Sequence, residues 1–267
     1  MKPFIHLFGF KTATYGLLIL LGFSIGILIA VLRSHINNQK KEDVFYASLF
    51  SAIGLIIGAK LLYIVINIPY IVDNFKVIIS NPKYIIDILQ SGFVFYGGLV
   101  GAIVSIYIYT KKYKVDFVSL IETLAPSFPL IHAFGRLGCF FAGCCYGIPF
   151  NPPIGMMFNE SMVAPHNIAL FPVQLLEALL NILIFIFLII YARKKRSRGN
   201  VISIYLIFYS VVRFIVEYLR YDAERGFLAG ISTSQWFSII ILILVIGVYI
   251  FKKFILISRE KHQNPSL

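Results

Sequence analysis

Residues 15–32 read YGLLILLGFSIGILIAVL, an uncharged run that ends at Arg33. As a helix rising 1.5 Å per residue, such a run nears the thickness of a bilayer's hydrocarbon core. It is too long for a signal-peptide core and no small-residue cleavage pattern follows it, so it reads as a retained span. Six more apolar runs, at 44–66, 93–110, 118–135, 169–192, 201–219 and 235–251, predict an all-α integral membrane protein with about seven transmembrane helices. The composition agrees, with 59% hydrophobic and 13% charged residues and a mean hydropathy of +0.85, which excludes an ordinary soluble domain. The fourth run carries Glu122, Pro126 and Pro129, a pattern that suits a broken or re-entrant helix enclosed by protein or a cavity. With no internal repeat, soluble domain or low-complexity linker, residues 1–267 read as a single transmembrane domain.

Basic residues set the expected orientation. Fifteen Lys and Arg, at Arg33, Lys40, Lys41, Lys111, Lys112, Lys114, the 193–198 cluster and the tail, fall on one side, against seven on the other. The amino terminus is therefore expected outside and the carboxyl terminus in the cytoplasm. The net charge of +12 reads as this topology signal plus attraction to anionic lipid. The basic clusters flank spans and no nucleic-acid fold is visible, so no nucleic acid is expected as partner. Two outer segments remain. Residues 68–92 mix Pro69, Asp73, Lys76, Pro82, Lys83 and Asp87 with large apolar residues, as interfacial helices do. Residues 143–168, rich in Gly, Pro and Asn, are long for a connection and mark a functional loop.

Charges at membrane depth point to the site. Arg136 ends an apolar run in a stretch, Gly135 to Gly147, that holds no acidic residue. A guanidinium at that depth costs about 2.5–3.5 kcal/mol, and its fixed fork of donors matches a phosphate. A snorkelling Arg at a helix end is the plain alternative; the surrounding glycines, Gly138 and Gly143 among them, favour a binding site. Arg213 and Glu217 are four apart and share a helix face. That pairing leaves Arg136, Arg220 and Lys60 without an assigned counter-ion, and several such cations around one outer cavity form an anion site. His132 lies four residues before Arg136. Tyr96 precedes Gly97 and Gly98, which leave room for a ligand. Gln174 and Glu177 open the fifth span, where they orient a ligand or face headgroups. Cys139, Cys144 and Cys145 read as small buried side chains, as a disulfide on an oxidising face, or as reactive thiols beside Arg136. Their spacing gives no metal site, and no metal or cofactor is expected.

These residues together resemble the prolipoprotein diacylglyceryl transferase family. Tyr15-Gly16 matches the family's Tyr-Gly near the start of the first span. Residues 135–144 match its Gly-Arg-x-Gly-Asn-Phe-x-Asn-Gly-Glu signature, and 171–177 its His-Pro-x-Gln-Leu-Tyr-Glu motif. Arg213, Phe214, Glu217 and Arg220 complete Arg-Phe-x-x-Glu-x-x-Arg, and Gln235 fits a later glutamine. The resemblance covers nearly the whole chain. It implies a bacterial cytoplasmic-membrane enzyme that moves a diacylglyceryl group from phosphatidylglycerol to the lipobox cysteine of a prolipoprotein signal peptide. Arg136 and Arg213 are then the headgroup-binding and leaving-group cations. Tyr15, Gly97, Gly98, Gly138, Gly143, Gln174, Glu177, Glu217 and Arg220 support substrate binding.

The departures from the family pattern are specific. The family histidine is Tyr96 here, and the signature Asn and Glu are Cys139 and Cys144. A phenol with an ordinary pKa near 10 is a poor base. A substrate thiol of pKa about 8.5 is already a few per cent thiolate at neutral pH, so lacking a base costs about tenfold to thirtyfold, roughly 2 kcal/mol. Losing a cation at the departing phosphate costs at least as much, about 2.7–4 kcal/mol by analogy with oxyanion donors. Both arginines are present, which favours an active transferase with His132 as a replacement base. A member acting on another acceptor, a non-catalytic lipid binder and a membrane thiol oxidoreductase using the three cysteines are the competing readings.

Overall fold

The computed structural model describes residues 2–7, 9–81, 83, 84, 86, 88, 92–221 and 226–263, with backbone alone for 252–263. Pro82 and Asp87 of the outer segment and Arg225, one of the seven basic residues expected outside, lie outside the described residues, as do the side chains of Lys252, Lys253, Arg259 and Lys261 in the tail. In chain order the elements are β1 (Phe4–Leu7), β2 (Phe10–Ala13), α1 (Thr14–Leu32), α2 (Lys41–Ile66), α3 (Ile68–Asp73), α4 (Phe75–Ser80), α5 (Phe95–Tyr113), α6 (Phe117–Leu124) and α7 (Ser127–Ala142). There follow β3 (Met156–Met157), β4 (Ala169–Leu170), α8 (Val173–Tyr191), α9 (Asn200–Val216), β5 (Phe227–Leu228), β6 (Ile231–Ser232) and α10 (Thr233–Gln263). The strands pair as three small antiparallel hairpins, β1 with β2, β3 with β4 and β5 with β6. Among the described residues, five helices are long and apolar enough to cross a membrane: α1, α2, α8, α9 extended to Leu219, and Thr233–Phe251 of α10. The broken pair α6 and α7 makes six if it counts as one span. Side chains such as Leu20, Leu28, Ile56, Leu61, Leu183 and Ile190 are exposed, as a lipid-facing surface requires.

Two compact units divide the chain, Val31–Thr123 and the combination of Met1–Ala30 with Leu124–Leu267. In the first, α2 and α5 pack through facing glycines. A Cβ on Gly58 would lie 2.3 Å from the Gly97 carbonyl oxygen, and one on Gly101 2.1 Å from that of Gly54. Two Gly-x-x-x-Gly faces thus let the backbones touch, the packing that serves helices in lipid, where burial of apolar side chains gives no driving force. Gly97 and Gly98 serve this helix contact, with Gly58, Leu62, Leu55 and Ala59 of α2 against them. Lys60 is corrected, for its Nζ donates to the Ile88 carbonyl and lies over the Tyr63 and Phe93 rings.

In the second unit, α1 lies against α7. Gly22 and Gly26 admit Phe134 and Ile131, and the Ser127 hydroxyl donates to the Gly26 carbonyl at 2.8 Å. A buried cluster of Ala125, Ile184, Leu188, Ala192 and Val201 joins α8 and α9 to the chain entering α7. The fourth run does not form one helix over 118–135. It breaks at Ala125 and Pro126, where proline lacks an N–H, and α7 then runs on to Ala142. What stops it is Gly143, left-handed at φ +71°. Gly143 N–H donates to Phe140 and Cys144 N–H to Cys139, both at 3.2 Å, a Schellman motif.

The loop after α7 is tied down. Ser161 Oγ donates towards the Ala142 and Gly143 carbonyls and accepts from the N–H groups of Val163 and Ala164 at 3.0 and 2.9 Å. Phe158, Ala164 and Leu170 pack with Phe140 and Tyr146. Residues 146–148 run between two other segments: Ile148 N–H donates to Leu219, Tyr221 N–H to Tyr146, and Phe171 N–H to Ile148. Segment 143–168 is therefore an ordered cover fixed to the ends of α7, α8 and α9.

Candidate active site

Helix α7 places His132 and Arg136 one turn apart on one face. The single hydrogen on Arg136 Nε is directed at His132 Nε2, 3.2 Å away. That nitrogen must then be the acceptor of the ring, which puts the imidazole proton on Nδ1. The His132 ring also lies against Tyr209 of α9, with centroids 5.1 Å apart.

Helix α8 brings the counter-ion. Glu177 Oε1 lies 3.1 Å from Arg136 Nε, 3.7 Å from Arg213 Nη1 and 3.9 Å from His132 Nε2. One carboxylate oxygen thus stands between two guanidiniums. The expectation that Arg136 lacks a carboxylate partner is overturned: the acid comes from a neighbouring helix, beyond the reach of local sequence. Arg213 Nη2 pairs with Glu217 Oε2 at 2.8 Å, as the four-residue spacing predicts, and donates to Ser234 Oγ at 2.8 Å. Arg213 Nη1 is buried without a hydrogen bond. Arg220 is buried and engaged rather than bare, and its backbone bridges to Gly147.

Of the remaining predicted residues, Gln174, Tyr15, Gly138 and Gly143 lie in the same unit as this cluster. Gln174 is fully buried, and its Nε2 donates to the Cys144 carbonyl at 2.9 Å while its Oε1 has no hydrogen bond. Gly138 lets Tyr15 lie against α7, since a Cβ there would stand 2.9 Å from the Tyr15 ring. Gly143 similarly admits Ser161. Tyr96, Gly97 and Gly98 belong to the other unit, with Tyr96 edge-on to Phe95 at 5.9 Å. Sequence reasoning passed over Ser234, Tyr209 and Asn181, whose Nδ2 donates to the Glu177 carbonyl. Tyr209 and Asn181 each lie four residues from a predicted charged residue, which is a usable signal; for Ser234 there was none.

The cluster is graded in exposure. Side chains of Glu177 and Arg213 are 2% and 8% exposed, those of Arg136 and His132 14% and 18%. An anion reaching it meets the α7 pair first. Among the described residues, three arginines, Arg136, Arg213 and Arg220, act on Glu177, and Glu177 and Glu217 are the carboxylates paired with Arg136 and Arg213.

Comparison with known proteins gives a consistent answer. Residues 2–251 match the family described as prolipoprotein diacylglyceryl transferase. A phosphatidylglycerol–prolipoprotein diacylglyceryl transferase of Clostridium tetani is 41% identical over 252 residues, covering 94% of this chain and 97% of the relative. A second enzyme of that name, from Clostridium perfringens, is 34% identical over 89% of this chain and 90% of its own length. One from Finegoldia magna is 30% identical over 96% and 97%.

Proposed function

Because this chain belongs to the prolipoprotein diacylglyceryl transferase family, we propose that it transfers a diacylglyceryl group from phosphatidylglycerol to the lipobox cysteine of a prolipoprotein signal peptide. The observation that carries this reading is the Arg136–Glu177–Arg213 cluster, two guanidiniums facing one carboxylate oxygen. In the reaction the acceptor sulfur attacks the glyceryl carbon bonded to the phosphate oxygen. A thioether S–C bond forms, the C–O bond breaks, and glycerol phosphate leaves with the electron pair. Its phosphate goes from one negative charge towards two. Arg136 and Arg213 meet that growing charge, and donors already in place need no reorganisation as it develops.

His132 serves this scheme by holding Arg136 rather than by taking the thiol proton, because its Nε2 already accepts from the guanidinium. The acceptor reacts as the thiolate fraction it has at neutral pH. Tyr96 takes its place by correspondence with the family histidine, Gly97 and Gly98 with the glycines after it. Gln174, Glu217, Arg220, Tyr15, Gly138 and Gly143 shape the headgroup pocket. The enzyme sits in the bacterial cytoplasmic membrane with about seven crossings and the amino terminus outside, the orientation that the basic residues favour.

The test uses purified protein, labelled phosphatidylglycerol and a lipobox peptide. Label should appear on the peptide cysteine as a thioether, with glycerol phosphate released. Arg136→Ala and Arg213→Ala should each lower turnover by at least about 100-fold while circular dichroism reports an intact helical fold. Near-normal turnover in either folded variant overturns the phosphate-binding role.

A further inference from the structure

The three cysteines are unexplained by the transfer reaction, in which the substrate supplies the thiol. Their arrangement follows from how α7 ends. Cys139 lies in its last turn, Gly143 reverses the chain through the Schellman motif, and Cys145 is itself left-handed at φ +57°. The reversal folds Cys144 and Cys145 back over Cys139. All three are free, and their Sγ atoms lie within 4.8 Å of one another. Among the described residues this is the one group of metal-ligating side chains so assembled. Sequence spacing gave no reason to expect it, because helix ends are not legible to the residue.

The dimensions admit a cation bound by all three sulfurs. A metal–sulfur bond of about 2.3 Å places ligand sulfurs about 3.8–4.0 Å apart in tetrahedral or trigonal geometry. A disulfide needs about 2.05 Å and joins only two of three. Arg136 acts on all three sulfurs and Arg220 on Cys145. Those cations also offset the excess negative charge of a tris-thiolate complex, and Tyr15 lies within reach of the same group.

We propose that Cys139, Cys144 and Cys145 form a three-thiolate site for one thiophilic d10 cation, zinc or copper(I). Binding releases the three thiol protons and forms three metal–sulfur bonds, with no change of oxidation state. Occupancy clamps the loop after α7 to the helix that carries Arg136. The inference does not depend on the transferase reading, since its test reads metal and thiols and not turnover.

Reduced, detergent-purified full-length protein is titrated anaerobically with cadmium(II) as spectroscopic probe. A sulfur-to-cadmium charge-transfer band should saturate at one ion per chain, and competition with zinc(II) and copper(I) ranks the two natural candidates. Cys139→Ser, Cys144→Ser and Cys145→Ser should each weaken binding by at least about 100-fold. A second measurement needs no variant: cadmium should protect all three thiols from maleimide, read by intact mass. Absence of the band, a band retained in all three variants, or alkylation indifferent to cadmium overturns the site. So does protein that yields a single reactive thiol before any reductant is added, which marks a disulfide instead.

Discussion

Glu177 Oε1 touches two guanidiniums from two different helices, and its side chain is 2% exposed. Replacing it by Gln leaves Arg136 and Arg213 facing each other without their shared counter-charge. Breaking a buried ionic group on one side costs about 3–5 kcal/mol, so Glu177→Gln should lower the unfolding midpoint clearly in a urea or thermal series. His132 gives a sharper separation of roles. If it holds Arg136, His132→Gln keeps an acceptor near Nε and should retain turnover within about tenfold, with an unchanged pH profile and KM moving more than kcat. A base would instead lose its limb of the pH profile in that variant and gain nothing from Gln over Ala. Single charges at depth stand out in a sequence, which is why Arg136, Arg213, Glu217 and Arg220 were legible there. The Arg136–Glu177 pair was not, because it is made between α7 and α8 and no local spacing encodes it.

Glycines decide where elements meet and end. On the α2–α5 face, Gly58→Leu would drive a side chain into the Gly97 carbonyl, 2.3 Å from where its Cβ must go. Overpacking of this kind costs about 1–3 kcal/mol, more where the neighbour is backbone, so the variant should unfold at lower urea while Gly16→Leu, with open space around its Cβ, should not. At the end of α7, Gly143→Ala forces a left-handed alanine and meets Ser161 at 2.4 Å. The conformation alone costs about 1–2 kcal/mol, and the displaced loop should raise protease sensitivity near residue 161. Helices as objects were readable from apolar runs; their breaks and ends were less so. Pro126 announced the break in the fourth run, whereas the run-on to Ala142 carries Gly135 and Gly138 inside the helix, Gly138 being packed against Tyr15. The hairpin of β1 and β2 left no signal, since four-residue strands are too short for alternation to register.

At the scale of the whole chain, the apolar runs and the unequal spread of Lys and Arg carry the membrane reading. Cysteine-accessibility labelling should find positions near Lys40, Lys112 and Lys195 on the cytoplasmic side and Asn151 outside; the reverse pattern would overturn the orientation and the outward-facing site together. What composition could not convey is the division at residues 31–123, which groups Tyr96 apart from the arginines in compactness. The carboxylate held between Arg136 and Arg213 also bears on how each catalytic cycle closes. The departing glycerol phosphate is more negative than the lipid it came from, so arginines alone would hold the product harder than the substrate and stall the enzyme. If Arg136 and Arg213 are the headgroup cations as proposed, repulsion from Glu177 between them would speed release of the spent headgroup, so free glycerol phosphate should be a weak inhibitor of the parent and a stronger one of folded Glu177→Gln.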